Sequence, residues 1–259
     1  LLLKDDFDLF TTSEVSISGV TNSSADDLPA VEIAVVLGGD GTILRGAELT
    51  RERNIPLLGI NIGHVGFMAE VIRPEISAVA KSVIDKSYGL DSRMVLAYEV
   101  IRGGKVIDTG WALNEVTVER QHTTMVELFV QIDGRPLSRW GCDGLIASTP
   151  TGSTAYAFSA GGPVLWPEVE ALVLLPISAH ALFSRPLVIS PQSKIAVGIE
   201  SSEAFLSADA LRKFALQRGD RVVVTKNPRI IKLAHLKNTL FSDRLVAKFK
   251  LPVEGWRGE

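Results

Sequence analysis

Residues 38–42 read Gly-Gly-Asp-Gly-Thr, a carboxylate set among glycines. The apolar run Ile33–Leu37 precedes them, and a helical pattern follows from Thr42 to about Arg53. Glycines at the carboxyl end of a buried parallel strand let the backbone turn tightly and come close to a ligand. The next helix offers unpaired N–H groups and the positive end of its dipole to an anion. In open α/β sheets ligands sit at this strand end. The loop therefore reads as a phosphate cradle. Thr42 is placed to cap the helix or touch a phosphate, and Arg45, in the first turn, adds positive charge. Asp40 does not suit a pure cradle, because a carboxylate repels phosphate. It suits a site where it accepts a proton from an attacking hydroxyl, or helps hold a magnesium ion that bridges phosphates. The plain alternative is a turn aspartate. No Gly-Lys-Ser/Thr follows, and the spacing is not Gly-x-Gly-x-x-Gly, so neither a Walker loop nor an ordinary dinucleotide fingerprint is present.

Two further stretches carry chemistry. In "LNEVTVE", Asn114 and Glu115 stand together inside a strand pattern. Adjacent strand residues face opposite sides, so both are not expected in the core. An amide beside a carboxylate can read base edges or ribose hydroxyls; the alternative is one solvated residue and one bonded to backbone. In "CDGLIASTPTGSTAYAFSAGGP", residues 142–163, hydroxyl and small residues are dense, and Tyr156 offers a stacking surface. An ordered Ser/Thr turn is the alternative. Cys142 has no histidine adjacent in sequence, which argues against a thiol nucleophile. His180 reads as a structural histidine rather than a base.

The elements that must position these residues change character along the chain. Residues 31–88 alternate strand and helix signals. A second apolar run, "PLLGIN", ends near Gly63 and Gly66. Then Ile76, Val79, Ala80, Val83 and Ile84 fall on one helical face, with Pro74 suited to the first turn. This grammar predicts βαβ units and a parallel sheet. After Gly89, short strand-like runs recur between turns, including Gly103-Gly104 and Asp133-Gly134, both hairpin signals. The expected fold is therefore α/β plus all-β. It comprises a Rossmann-like α/β domain with a parallel sheet (1–89), an antiparallel β-sandwich domain (90–229), and a helical tail (230–259) packing back on the first domain. Ser242 is the candidate N-cap of the tail helix, with Leu245 and Phe249 on one face.

Composition narrows the classes. The chain has 259 residues, 46% hydrophobic and 22% charged, with a formal net charge of -3. A mildly acidic chain lacks the basic footprint of a general nucleic-acid binder. The strongest apolar run, "ALVLLPI", is short and broken by Pro176, so no membrane span is expected. The single cysteine excludes an internal disulfide and fits a reducing cytosol, and the four histidines show no metal-ligand spacing. The first residues do not read as a signal peptide. Residues 11–30 read as loop, and the opening without methionine predicts that N-terminal sequence is missing.

Taken together, "GGDGTIL", "GINIGHVGF", "LNEVTV", "DGLIASTPTGSTAYAFSAGGP" and "PISAHALFSRPLV" resemble the segments of the NAD kinase family, in that family's order, over roughly residues 31–255. The ending "DRLVAKFKLPVEGWRG" is similar to actinobacterial members. GGDGT is shared with diacylglycerol and sphingosine kinases and phosphofructokinases; "STPTGSTAY" separates this chain from them. The resemblance implies transfer of the γ-phosphate of ATP, or of polyphosphate, with Mg²⁺, to the 2′-hydroxyl of the adenosine ribose of NAD. It implies Asp40 as proton acceptor with Gly41 beside it at the NAD, and Asn114 and Glu115 as the NAD-binding pair. It implies that Asp143 and Thr154, Ala155, Tyr156, Ala157, Phe158 and Ser159 supply the remaining dinucleotide contacts. It implies a cytoplasmic homodimer or homotetramer. A related lipid or sugar-phosphate kinase and a non-catalytic NAD(P)-binding sensor are the competing readings. In two places the chain departs from the family. Its usual first βα unit is not found before residue 31. Where the family has Asp-Gly, "SADALRK" has Asp209-Ala210, so no ligand role is carried to Asp209.

Overall fold

The computed structural model describes residues 2–13, 16–61, 66–71, 76–201, 203–236 and 240–253. Gly63, Pro74 and the last six residues of the chain lie outside the described residues. In chain order the elements begin with β1 (Phe10–Thr11), β2 (Thr21–Asn22), β3 (Ala34–Leu37), α1 (Asp40–Thr50), β4 (Leu57–Asn61), β5 (Glu70–Val71), α2 (Ile76–Ile84) and β6 (Gly89–Arg93). There follow β7 (Leu96–Arg102), β8 (Lys105–Ala112), β9 (Glu115–Arg120), β10 (Val126–Ile132), β11 (Arg135–Cys142), β12 (Gly144–Ser148) and the short α3 (Tyr156–Ser159). The rest are β13 (Leu172–Ile177), β14 (Leu187–Ile189), β15 (Ile195–Ile199), β16 (Ala204–Ala208), β17 (Arg212–Leu216), β18 (Arg221–Lys226), β19 (Ile231–His235) and α4 (Phe241–Phe249). The chain divides into two units, residues 1–92 with 231–259, and residues 93–230.

The first unit is built on a five-stranded sheet in the order β3-β4-β19-β6, with β5 also pairing to β4. β3, β5 and β19 all run parallel to β4. Parallel neighbours require a crossover, and α1 supplies it between β3 and β4. Its apolar stripe Ile43, Leu44 and Ala47 is buried. α2 buries Val79, Ala80 and Val83, of which Val79 and Val83 join Leu58 and Ala234 in one apolar cluster.

Four local expectations are corrected here. β3 is not a buried strand: it ends the sheet order and Leu37 is 70% exposed. α1 starts two residues before Thr42, at Asp40, and Arg51 is its C-cap, with Asn54 in a left-handed conformation. Ile76 opens α2 and is exposed rather than on its buried face. Ser242 lies inside α4, whose N-cap is Leu240 without a side-chain cap bond. The strand β19, in the stretch read only as tail, was not predicted. Its five residues show no strict alternation, since Leu233 and Ala234 are both buried, and the run is too short to separate from a loop.

The second unit consists of two six-stranded antiparallel sheets, β11-β10-β15-β18-β7-β8 and β14-β13-β12-β9-β16-β17. Apolar residues of both pack into one core, with Leu128, Val130 and Val222 from the first sheet meeting Val116, Leu174 and Leu206 from the second. That is a β-sandwich, each strand sending alternate residues inward. The two glycine hairpin signals join β7 to β8 and β10 to β11; Asp133 and Gly134 both have φ above zero, as a tight hairpin needs. β12 falls in the hydroxyl-rich segment and β13 in the apolar run "ALVLLPI", neither of which carries a strand alternation. They are adjacent central strands buried almost throughout, and a strand covered on both faces has no alternation to read.

Candidate functional site

In the first unit the site is organised by Asp40. Gly39 is the extended N-cap of α1 and makes no side-chain cap bond, so Asp40 is the first helical residue. Its carboxylate reaches across to the segment after the second glycine cluster. Oδ2 accepts the backbone N–H of Phe67 at 2.9 Å, and Oδ1 accepts those of Met68 and Ala69 at 3.1 and 3.3 Å. A Cβ at Gly66 would overlap Asp40 Oδ1, so that glycine is required by the close approach of the carboxylate. Phe67 is itself fixed from the other side. Its ring packs 5.8 and 5.7 Å from those of Phe241 and Phe249 on α4, and its carbonyl accepts Arg244 Nη1 at 3.0 Å. Asp40 is half-buried, while Gly41 is exposed with open space where a Cβ would stand. Two expectations shift with the helix start. Thr42 does not cap α1, and its side chain instead fills the space against Gly38. Arg45 falls in the second turn, on the exposed face.

In the second unit, Asn114 and Glu115 are both buried, each 7% exposed. This corrects the expectation that the two would not both be buried. Asn114 lies before β9, in a bend, so the strand rule of opposite faces does not apply to it. The bend is tied to the loop that opens the hydroxyl-rich segment. Thr149 Oγ1 donates to Leu113 O at 2.6 Å, Thr149 N–H to Asn114 O at 2.9 Å, and Ser148 Oγ to Asn114 O at 3.2 Å. A Cβ at Gly152 would fall on the carbonyl of Asn114, so this glycine permits the two segments to touch. Ser153 Oγ then donates to Pro150 O at 2.7 Å and accepts Leu165 N–H at 2.9 Å. The dense hydroxyls read from the sequence are thus largely spent on holding the loop. Thr154 Oγ1 likewise donates to Thr151 O at 3.2 Å.

The loop delivers α3 to the buried pair. The backbone N–H of Tyr156 donates to the Glu115 carboxyl group, and Tyr156 OH meets Glu119 Oε2 at 3.4 Å. Ala157 is buried, whereas Tyr156, Phe158 and Ser159 are exposed and Thr154 and Ala155 half-buried. Asp143 is close enough for its charge to act on Tyr156, and it is held by Arg120, whose Nε stands 3.0 Å from Oδ1. Asn114, Glu115, Asp143 and residues 154–159 therefore gather in one place within this unit.

Two polar atoms in that place have no partner among the described residues: Asn114 Oδ1 and Glu115 Oε2. Buried polar atoms are nearly always satisfied, so such a pair marks where a ligand's groups belong. Burial pushes the Glu115 carboxyl up to about 8, with the charges of Asp209 and Glu119 adding to the rise and the Tyr156 N–H opposing it. Burial also raises Tyr156, with Glu119 next in effect. Cys142 is buried and its thiol is pushed up to about 12, which leaves no thiolate for catalysis. His180 is exposed, and its backbone bridges to Gly141. Sequence reasoning missed Glu119 and Arg120, which touch the named residues from the flanks; nothing in their local sequence distinguishes them from ordinary strand residues. Among the described residues there is no group of three His, Cys, Asp or Glu side chains that could hold a metal ion.

The chain is similar to known proteins over most of its length. Residues 12–88 match the family model for the ATP-NAD kinase N-terminal domain, and residues 113–236 that for the ATP-NAD kinase C-terminal domain. The NAD kinase of Thermobifida fusca (strain YX) is 48% identical over 92% of this chain and 76% of its own length. That of Leifsonia xyli subsp. xyli (strain CTCB07) is 51% identical over 95% of this chain and 83% of its own. Among solved structures, yeast NADH kinase complexed with NADH superposes with a TM-score of 0.84 at 26% identity, covering 93% of this chain and 73% of that one. An NAD kinase from Archaeoglobus fulgidus in complex with ATP gives 0.72 at 29% identity, covering 89% of both chains.

Proposed function

The chain belongs to the NAD kinase family, and from that premise we infer how its residues divide the reaction. The enzyme transfers the γ-phosphate of ATP to the 2′-hydroxyl of the adenosine ribose of NAD, forming NADP and ADP. A ribose hydroxyl is a weak nucleophile, and phosphoryl transfer is mainly positioning and charge neutralisation. Asp40 accepts the 2′-hydroxyl proton as the oxygen bonds to the γ-phosphorus and the bond to the bridging oxygen of ADP breaks. Its three backbone N–H donors fix the carboxylate's direction, while Oδ2, with one described donor, keeps a lone pair for the hydroxyl. A base so placed contributes roughly 10²–10⁴-fold. The exposed N-terminus of α1, with Gly41, offers N–H groups to phosphate, and Arg45 adds charge one turn on.

The observation that carries the reading is the pair of unpartnered buried oxygens, Asn114 Oδ1 and Glu115 Oε2. Asn114 Oδ1 is matched by a ligand hydrogen, and Glu115 Oε2, while the carboxyl keeps its proton, by a ligand oxygen or nitrogen, a mixed set that a nucleoside offers. Tyr156 and Phe158, exposed beside them, supply flat apolar surface, and Asp143, Thr154, Ala155, Ala157 and Ser159 complete the contacts on the dinucleotide. Mg²⁺ would come with the ATP rather than from a side-chain cage of the described residues. It would neutralise charge on the transferred group. No helix among the described residues is long and apolar enough to cross a membrane. We place the enzyme in the cytoplasm, as a homodimer or homotetramer.

The test is production of NADP from NAD, detected with an NADP-specific dehydrogenase. A signal that requires both ATP and Mg²⁺ is expected. Absence of signal while NAD still binds by calorimetry would replace this reading with that of a sensor.

A further inference from the structure

We propose that Asp209 is a positioning residue for the NAD-binding pair: its carboxylate clasps the backbone of Leu113–Glu115 and so sets the direction in which Asn114 and Glu115 present their free oxygens. The inference rests on the assignment of that pair to NAD. Asp209 and Ala210 are the two central residues of the hairpin between β16 and β17, closed by Leu211 N–H on Ala208 O at 3.0 Å. Both have φ above zero, 53° and 55°. That is the turn for which Asp-Gly or Asn-Gly is the usual choice, because a side chain at the second position is strained. The turn aims Asp209 inward, where it is 4% exposed.

There it accepts three consecutive backbone N–H groups. Oδ2 takes that of Leu113 at 2.7 Å, and Oδ1 takes those of Asn114 at 2.7 Å and Glu115 at 3.3 Å. The return bond, Asp209 N–H to Glu115 O at 3.1 Å, closes the clasp from the other side. Arg212 Nη2 donates to Trp111 O at 2.6 Å and stands 3.5 Å from Asp209 Oδ2, which balances the buried charge. With every described lone-pair direction engaged by backbone and Arg212, Asp209 has nothing left to offer a ligand. Its neighbours' side chains do. The clasp is set in a bend that has no strand partner of its own at Leu113 and Asn114, so without Asp209 three buried N–H groups lose their acceptor.

The experiment compares wild type with Asp209→Asn, which keeps the shape but offers one accepting oxygen and turns an NH₂ group toward backbone N–H. The expected result is a KM for NAD raised at least tenfold, with the KM for ATP within twofold of wild type. A folded variant with an unchanged KM for NAD, or with both KM values raised alike, overturns the proposal. Hydrogen exchange on the wild-type protein guards against a variant that does not fold. The amides of Leu113, Asn114 and Glu115 are expected to exchange at least a hundredfold more slowly than those of the Gln121–Thr124 loop, and equal rates overturn the clasp. A wild type that makes no NADP refutes the functional reading instead, and the exchange result still decides the clasp.

Discussion

Asp40 and Asp209 make nearly the same set of bonds in two different units. Each carboxylate accepts three consecutive backbone N–H groups from a segment remote in sequence, Phe67–Ala69 in one case and Leu113–Glu115 in the other. They differ in what surrounds the clasp. Asp40 is half-buried at the first residue of a helix, among glycines; Asp209 is at the tip of a hairpin folded into the sandwich, with Arg212 beside it. A carboxylate bound by backbone donors serves substrate only where part of it remains reachable. Where burial is complete the same bonding becomes a fastener, and chemistry passes to the side chains of the fastened segment.

The sharpest way to break this contrast is Asp40→Asn. Turnover is expected to fall by about two to four decades, as for loss of a general base, while NAD binding measured by calorimetry is retained. Near-normal turnover would put Asp40 in the same class as Asp209.

Next in size is the pH dependence of stability, which tests the charge around the second clasp. The unfolded chain releases the Glu115 proton in the ordinary carboxylate range, about 4.3. The folded protein holds it to about 8, chiefly because the group is buried. Between those values the folded state binds one more proton, so raising the pH favours unfolding. The stability associated with this group is complete below the lower value and is lost as pH rises to about 8. Against Glu115→Gln, which cannot ionise, wild type should lose ~1.4 kcal/mol per pH unit over that window in denaturant titrations. Parallel curves for the two proteins would show that Glu115 is not held neutral.

Adding one methyl group in each unit separates the two clasps by what gives way. Gly152→Ala drives a Cβ into the Asn114 carbonyl, which is backbone and cannot step aside. The expected cost is about 1–3 kcal/mol of stability, read from thermal unfolding. Gly66→Ala meets the Asp40 carboxylate, a side-chain end that can rotate. There the expected loss is about tenfold or more in kcat with a smaller change in melting temperature. If both substitutions act on stability alone, the contrast between the sites is wrong.

The smallest effect is a gain. Ala210 holds a left-handed conformation at φ 55°, and Ala210→Gly should relieve it and stabilise the protein by about 1 kcal/mol. A loss of stability on that change would mean that Ala210 makes contacts worth more than its strain.

The residues with a local reason to be where they are could be read directly. Gly-Gly-Asp-Gly at a strand end and the two glycine hairpins need particular backbone conformations, and few residue types supply them. The α/β-then-all-β organisation followed from the change in periodicity after Gly89. What could not be read was anything that depends on which backbone meets which. Asp40 is 27 residues from Phe67, and Asp209 is 95 from Asn114. The donors in both cases are main-chain N–H groups, which every residue but proline carries and which leave no mark in a sequence. The burial of Asn114 beside Glu115 escaped for the same reason: a bend held by Thr149 and Asp209 cancels the alternation that strand residues obey. The chain's residue types settle which groups are able to do the chemistry. Folding settles which of two similarly bonded aspartates stays reachable, because burial and hydrogen-bond supply belong to the assembled surroundings and not to the residue.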